Sequence, residues 1–322
     1  ILACSAGCTY NAATGRRQLS LIGEQQEIAI GQENDQAIQA ELGLYPDDEL
    51  QTYVQKLGAE LAAVSERPHL PWQFKVVDDP TVNAFALPGG FIYVTRGILA
   101  HFNSEAELAS VLGHEIGHVT ARHSVEQMSR AQLAQLGLGV AMIASEEARK
   151  YADVASLGLQ MLFLKFGRDD EDQSDDLGLR YMSRTGHAVA EMPGVFEMLD
   201  RQTDLHGGQR IPEWQSTHPY PAHRAQRIAA QVESMPPEQR GEIIRREEYL
   251  SLLDGLVFGP NPREGYTIDN TFYHPDMAFE LSFPKGWTIH NQKQSVISVS
   301  PEEDAIVMLL SLIHISEPTR HD

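Results

Sequence analysis

From Leu21 the apolar positions recur at helical spacing: Ile22, Ile28, Ile30 and Ile38 stand among Glu and Gln, and Leu50, Tyr53, Val54, Leu57 and Leu61 continue the pattern. Pro68 and Pro71 end that segment. Residues 72–77 alternate and are rich in β-formers, Asp78, Asp79 and Pro80 turn the chain, Pro88, Gly89 and Gly90 turn it again, and residues 91–95 read as a second strand. Ser104, three residues before Glu107 and ahead of Leu108, Val111 and Leu112, forms a capping box that opens a helix expected to run through His123. Further helices are expected over 169–184, broken by Gly186, over 193–200 and over 222–232. Past Pro236 and Pro237 the period changes to two: residues 279–283 alternate, 284–287 form a turn, and 296–300 and 305–310 make a hairpin around 301–304.

This pattern predicts an α+β fold, a mainly helical domain with a small sheet over 21–235, then a small C-terminal α+β domain over 236–310. That second domain is expected to be truncated, because residues 311–322 resemble a mistranslated sequencing adapter and read as a non-native tail. The apolar run 133–144 is too short for the ~18 residues of a membrane span and carries Gln135, so it reads as a buried or lid-like helix. At the other end, the apolar and small residues 1–8 look like the last part of a signal peptide, with Ala6 and Gly7 before Cys8 as a lipoprotein cleavage site. Cys8 is then the expected lipid attachment point, Cys4 the competing one, and residues 9–20 a polar tether.

Charge and cysteine content act by exclusion. The net charge of -20, from 45 acids against 25 bases, argues against nucleic acid and leaves a lipid anchor as the expected membrane contact. No cysteine follows Cys8, so the body holds no disulfide, thiolate metal site or cysteine nucleophile.

The candidate chemistry lies at residues 114–118. His114 and His118, at i and i+4, share one helix face and reach a single ion, with Glu115 beside the first of them as general base. Zinc lowers the pKa of bound water to roughly 7, so the expected group is one Zn2+ per chain. A pair of helix-surface histidines is the bland alternative. A third ligand is needed, and residues 169–176 pack six carboxylates. Within them Glu171 and Asp175 are spaced i, i+4, so Glu171 can bind the metal while Asp175 accepts a hydrogen bond from a ligand histidine. Alone, such a run also suits a solvated helix start. His123 is expected on the same helix as His118, off the metal face and structural.

These motifs give the chain a resemblance to the HtpX-like family of zinc metalloproteases, the group that includes the CAAX prenyl protease of type one, nearest to its soluble periplasmic BepA- and LoiP-like members. The family's H-E-x-x-H and E-x-x-x-D are matched by His114, Glu115, His118, Glu171 and Asp175. Residues 83–94, His218 with Pro219 and Arg224, and the openings at 14–19 and 27–31 are also similar, over roughly residues 8–232. Gln173 stands where many members carry a second glutamate. The resemblance implies a zincin-like domain in which His218 lies near the active site, either as an added metal contact or as a donor to the transition-state oxyanion. Arg224 would orient His218 or bind substrate backbone. It also implies a zinc endopeptidase acting on unfolded or misassembled cell-envelope proteins, working beside envelope assembly machinery and lipid-anchored in the periplasm at the outer membrane. The strand Phe91, Ile92, Tyr93 and Val94 is the candidate edge for an extended substrate. The rival reading is a chaperone-like binding module with suppressed proteolysis.

Overall fold

The computed structural model describes residues 8–144, 166–205, 214, 217–219, 221–292 and 295–310. Residues 1–7, with Cys4 and most of the expected signal-peptide remnant, and the tail 311–322 lie outside the described residues. The fold is α+β, as the periodicities predicted, and divides into two compact units, Ile1–Leu256 and Val257–Asp322.

The first unit opens with an antiparallel hairpin, β1 Cys8–Asn11 and β2 Arg16–Leu19. This corrects the tether expected over 9–20. Asn11 is buried, and its Nδ2 donates to the backbone oxygens of Thr120 and Ala121 at 3.0 and 2.9 Å, so Asn11 and the buried Gln18 face the domain while Thr9, Arg16 and Arg17 stay exposed. The two helices that follow are α1 Glu24–Leu42 and α2 Asp48–Ala63, the latter capped by Asp47, which accepts from the Leu50 amide. The apolar stripe Leu50, Val54, Leu57 and Leu61 is fully buried against the sheet, as its spacing requires.

That sheet has β3 Gln73–Val77, β4 Ala84–Leu87 and β5 Phe91–Thr95, in the order β3-β5-β4. β5 pairs parallel with β3 and antiparallel with β4. The expected substrate edge at Phe91, Ile92, Tyr93 and Val94 is therefore overturned: β5 is the central strand, buried at every position, and both of its hydrogen-bonding sides are used. The outer strands are β3 and β4, and the short AFAL run of β4 carries too little alternation to stand out in the sequence.

After the short helix α3 Arg96–Leu99, the helix α4 Glu105–Ala121 crosses the middle of the unit, its Ser104 cap accepting from the Glu107 amide. Every residue but Glu107 is buried, which suits a helix without a polar face. It stops sooner than expected. Arg122 adopts the left-handed conformation, φ 60° and ψ 37°, and His123 begins the next helix, α5 His123–Ala144.

α6 Arg168–Thr185 lies against α4 and ends on left-handed Gly186; α7 Met192–Leu205 and α8 Pro221–Ser234 follow. A Cβ on Gly178 would lie 3.1 Å from the His114 nitrogen, so backbone meets backbone where α4 and α6 touch. The chain does not leave this unit at Pro236. α9 Arg246–Leu252 packs back, with Tyr249 buried and its hydroxyl donating to the Leu99 oxygen at 2.8 Å. The boundary expected at 236 thus falls at Leu256: the proline pair opens a one-turn 3-10 segment within the unit.

The second unit holds two three-stranded antiparallel sheets. One runs β6 Tyr266–Ile268, β7 Thr271–His274, β8 Phe279–Ser282; the other runs β9 Thr288–Gln292, β10 Ser295–Val299, β11 Ile306–Leu310. The expected hairpin around 301–304 is β10–β11. Its core is small: Phe272, Phe283 and Val296.

Candidate metal centre

α4 presents His114 and His118 one turn apart, with their Nε2 atoms 3.0 Å from each other. The first turns of α6 bring Glu171 to them: Oε2 lies 3.6 Å from His114 Nε2 and Oε1 3.4 Å from His118 Nε2. His218 enters from the segment before α8, its Nδ1 2.9 Å from Glu171 Oε1 and 3.3 Å from His114 Nε2. All four side chains are buried, and their donor atoms lie within 4.8 Å of one another. Among the described residues this is the one group of such kind.

The protonation pattern follows from the partners. Asp175 can only accept, and its Oδ1 lies 2.9 Å from His114 Nδ1, so that nitrogen carries the proton and Nε2 is bare. Burial, with the charge of Arg224 adding to it, pushes the His114 imidazole down to about 3 and keeps it neutral. Burial alone would raise the Glu171 carboxyl, but the charges of His218 and Arg224 outweigh it and hold Glu171 well below the usual range. Asp175 is lowered in the same way, chiefly by Arg224, whose Nη2 and Nε reach it at 2.6 and 3.0 Å. The bare Nε2 of His114, ring nitrogens of His118 and His218 and the Glu171 carboxylate therefore converge on one point, a donor set able to hold a cation. Glu171 Oε2 is buried without a hydrogen-bond partner; the guanidinium Nη1 of Arg224, 2.5 Å away, makes an ion-pair contact without hydrogen-bond geometry. This donor set suits zinc, which takes imidazole and carboxylate ligands.

Glu115 stands beside the cluster with Oε1 buried and unpartnered, 3.6 Å from His218 Nε2. Burial first, and then the negative charge of Glu171, push its carboxyl up to about 7, against the opposing pull of His118 and Arg224. Asp176, by contrast, turns away from the histidines and pairs with Arg227 at 2.6 Å, half exposed.

Several neighbours were invisible in the sequence. Phe166 stacks on His118 at 4.0 Å, Trp214 on His218 at 4.2 Å, and Arg224 lies 4.3 Å from the Phe196 ring centroid. A single aromatic, whether in an irregular segment or, as with Phe196, in a helix, does not announce its neighbour; only the fold assembles them. The expected position of His123 also changes. Its Nδ1 lies 2.9 Å from His118 Nδ1, in contact with a residue of the cluster. Cys8 lies in β1, far along the chain from the cluster.

A family model described as Peptidase family M48 matches residues 48–232, a span that includes every residue of the cluster. The chain is 34% identical over 168 residues to the mitochondrial metalloendopeptidase OMA1 of Arabidopsis thaliana, covering 52% of this chain and 33% of that protein. It is 30% identical over 220 residues to the beta-barrel assembly-enhancing protease of Yersinia pestis, and 28% to that of Escherichia coli (strain K12), covering 66% of this chain and 45% of each. The chain spans less than half the length of these three curated relatives.

Proposed function

This chain belongs to peptidase family M48, and from that premise we propose that it is a zinc-dependent endopeptidase with Glu115 as its general base. The observation that carries the reading is the convergence of His114, His118, Glu171 and His218 beside Glu115, whose Oε1 is buried without a hydrogen-bond partner. A zinc ion held there supplies Lewis-acid chemistry, polarising a scissile carbonyl and making water more acidic. Glu115 takes the proton of the attacking water and returns it to the leaving amine; a carboxyl poised near neutrality suits both transfers. Asp175 fixes the tautomer of His114, and Arg224 fixes Asp175. His218 would be a fourth donor to the ion through Nδ1 or, with its Nε2 facing Glu115, a donor to the transition-state oxyanion.

The β4 edge supports an extended peptide as substrate, because among the described residues its second side pairs with no strand, and Ala86, Leu87 and Pro88 line the same small pocket as His118. Recognition through backbone suits unfolded chains. Two of the relatives are named for β-barrel assembly, which supports misassembled envelope proteins as substrates and the periplasm as the place of action. No helix among the described residues is long and apolar enough to cross a membrane, and a lipid on Cys8 would hold the enzyme at a surface. Casein digestion with and without a chelator tests the activity. Glu115→Gln should keep the metal and lose roughly 10²- to 10⁴-fold in turnover; wild-type turnover in that variant would remove Glu115 from the mechanism.

A further inference from the structure

In an unbroken helix a side chain five residues on is rotated by about 140°, which would carry His123 to the far side of α4 from the metal ligands. The structure breaks the helix at Arg122, the single residue between α4 and α5. Arg122 is left-handed, with φ 60° and ψ 37°, a conformation that a non-glycine residue adopts only when its surroundings hold it there. They do: its Nε donates to Glu27 Oε2 at 2.9 Å, Nη1 to Ser20 Oγ at 3.1 Å and Nη2 to the Ile22 oxygen at 2.8 Å. The turn swings the buried His123 ring back beside His118, with centroids 5.0 Å apart and planes at 75°, and with the two Nδ1 atoms at 2.9 Å.

One of those two nitrogens must donate and the other accept. His118 directs Nε2 toward the cluster, where the metal requires it bare, so its proton sits on Nδ1 and is given to His123. His123 Nδ1 is then a bare acceptor, with the Ser174 hydroxyl also 3.4 Å from it, and its proton lies on Nε2, which makes no hydrogen bond and has Asp170 Oδ1 3.8 Å away. We propose that His123 is the positioning residue of His118: a neutral imidazole that fixes the tautomer and ring angle of this metal ligand, as Asp175 does for His114, and that is itself placed by the left-handed turn at Arg122. Resting on the metal reading above, it assigns the two histidine ligands of α4 unlike partners, a carboxylate for His114 and an imidazole for His118.

Zinc affinity, measured by chelator competition on the purified chain, separates this role from mere packing. His123→Phe keeps a ring but offers no acceptor, and should bind zinc about 10- to 100-fold more weakly. His123→Gln restores an acceptor oxygen and should stay close to wild type. Undiminished affinity in the phenylalanine variant, or equal losses in both, overturns the proposal. The zinc-loaded wild-type protein gives a second reading that needs no variant: imidazole nitrogen NMR should find the His123 proton on Nε2, and a proton on its Nδ1 overturns the assignment. A wild-type chain that takes up no zinc overturns the metal reading itself and this inference with it, whereas zinc binding with an indifferent phenylalanine variant overturns this inference alone.

Discussion

Glu171, Asp175 and Asp176 lie within two turns of one helix, yet only the first two turn toward the histidines. Glu171 and Asp175 share a face through their i, i+4 spacing, while Asp176, one residue further round, meets Arg227 in partly exposed surroundings. Glu171→Ala should therefore greatly weaken zinc binding, and Asp176→Ala should leave it unchanged, since an exposed ion pair contributes at most about 1 kcal/mol. Equal losses of zinc would mean that the acidic run acts as a diffuse field. Glu105 is another buried carboxylate, with a structural part to play. It receives hydrogen bonds from Tyr53, from His187 Nε2 at 3.2 Å and from Arg245 Nη1 at 2.8 Å. Burial raises its pKa, but the hydrogen bonds from His187 and Tyr53 and the charge of Arg245 outweigh that and hold it below the usual value. A carboxyl depressed in the folded state stabilises above its unfolded pKa of about 4.3, and that stability is lost as pH falls through the lower folded value. Glu105→Gln should accordingly be less stable than wild type near neutral pH, with the gap closing in acid. Denaturant melts at several pH values check this, and a gap independent of pH would rule out the ionised carboxylate as its source.

At the scale of elements, the site depends on how closely α4 and α6 approach. A Cβ at Gly178 would meet the His114 nitrogen at 3.1 Å and the Gly113 carbonyl carbon at 3.2 Å, so a methyl group must push one helix from the other by a few tenths of an ångström. Gly→Ala inside a helix ordinarily stabilises by about 0.5–1 kcal/mol. Gly178→Ala should do the reverse and lower zinc affinity by up to about tenfold, because His114 sits at the contact and Glu171 on the displaced helix. Gly194→Ala in α7, where an added Cβ meets nothing within 4 Å, is the control and should show only the ordinary gain. If both variants behave alike in thermal melts and zinc titration, the close approach has no bearing on the site. The same contrast explains what was legible in the sequence. His114, Glu115, His118, Glu171 and Asp175 form two spaced motifs on helices, and helical period carries such information over a few residues. The order of the sheet, the stop at Arg122 and the approach of His123 to His118 arise from contacts between distant segments. No local pattern distinguished β4 as an edge or β5 as the centre, since strands of four or five residues buried at all or all but one position show no alternation.

For the molecule as a whole, the hardest feature to read was where the first unit ends. Pro236 and Pro237 look like a linker, and the residues after them show no strong apolar period until the strands of the second unit. The structure resolves the ambiguity with long-range contacts: the Ala188 amide donates to the Ile243 oxygen, the Val189 amide to the Arg240 oxygen, and Tyr249 is buried in the same core as α4 and α8. A proline pair followed by a polar stretch is thus compatible with a strap that stays on the domain, because one buried aromatic and a few backbone hydrogen bonds suffice to hold it. The consequence is testable with two shortened chains. One that stops at Leu256 keeps the strap and should retain the helical circular dichroism and zinc stoichiometry of the full chain, since the second unit has its own core around Phe272, Phe283 and Val296. One that stops at Met235 loses Tyr249 and should unfold at distinctly lower denaturant. The full-length variant Tyr249→Ala isolates the cause: removing a fully buried aromatic costs about 3–5 kcal/mol, and the Leu99 oxygen also loses its donor. Were the chain ending at Met235 as stable as the one ending at Leu256, the strap would be an appendage and the boundary at the prolines would stand.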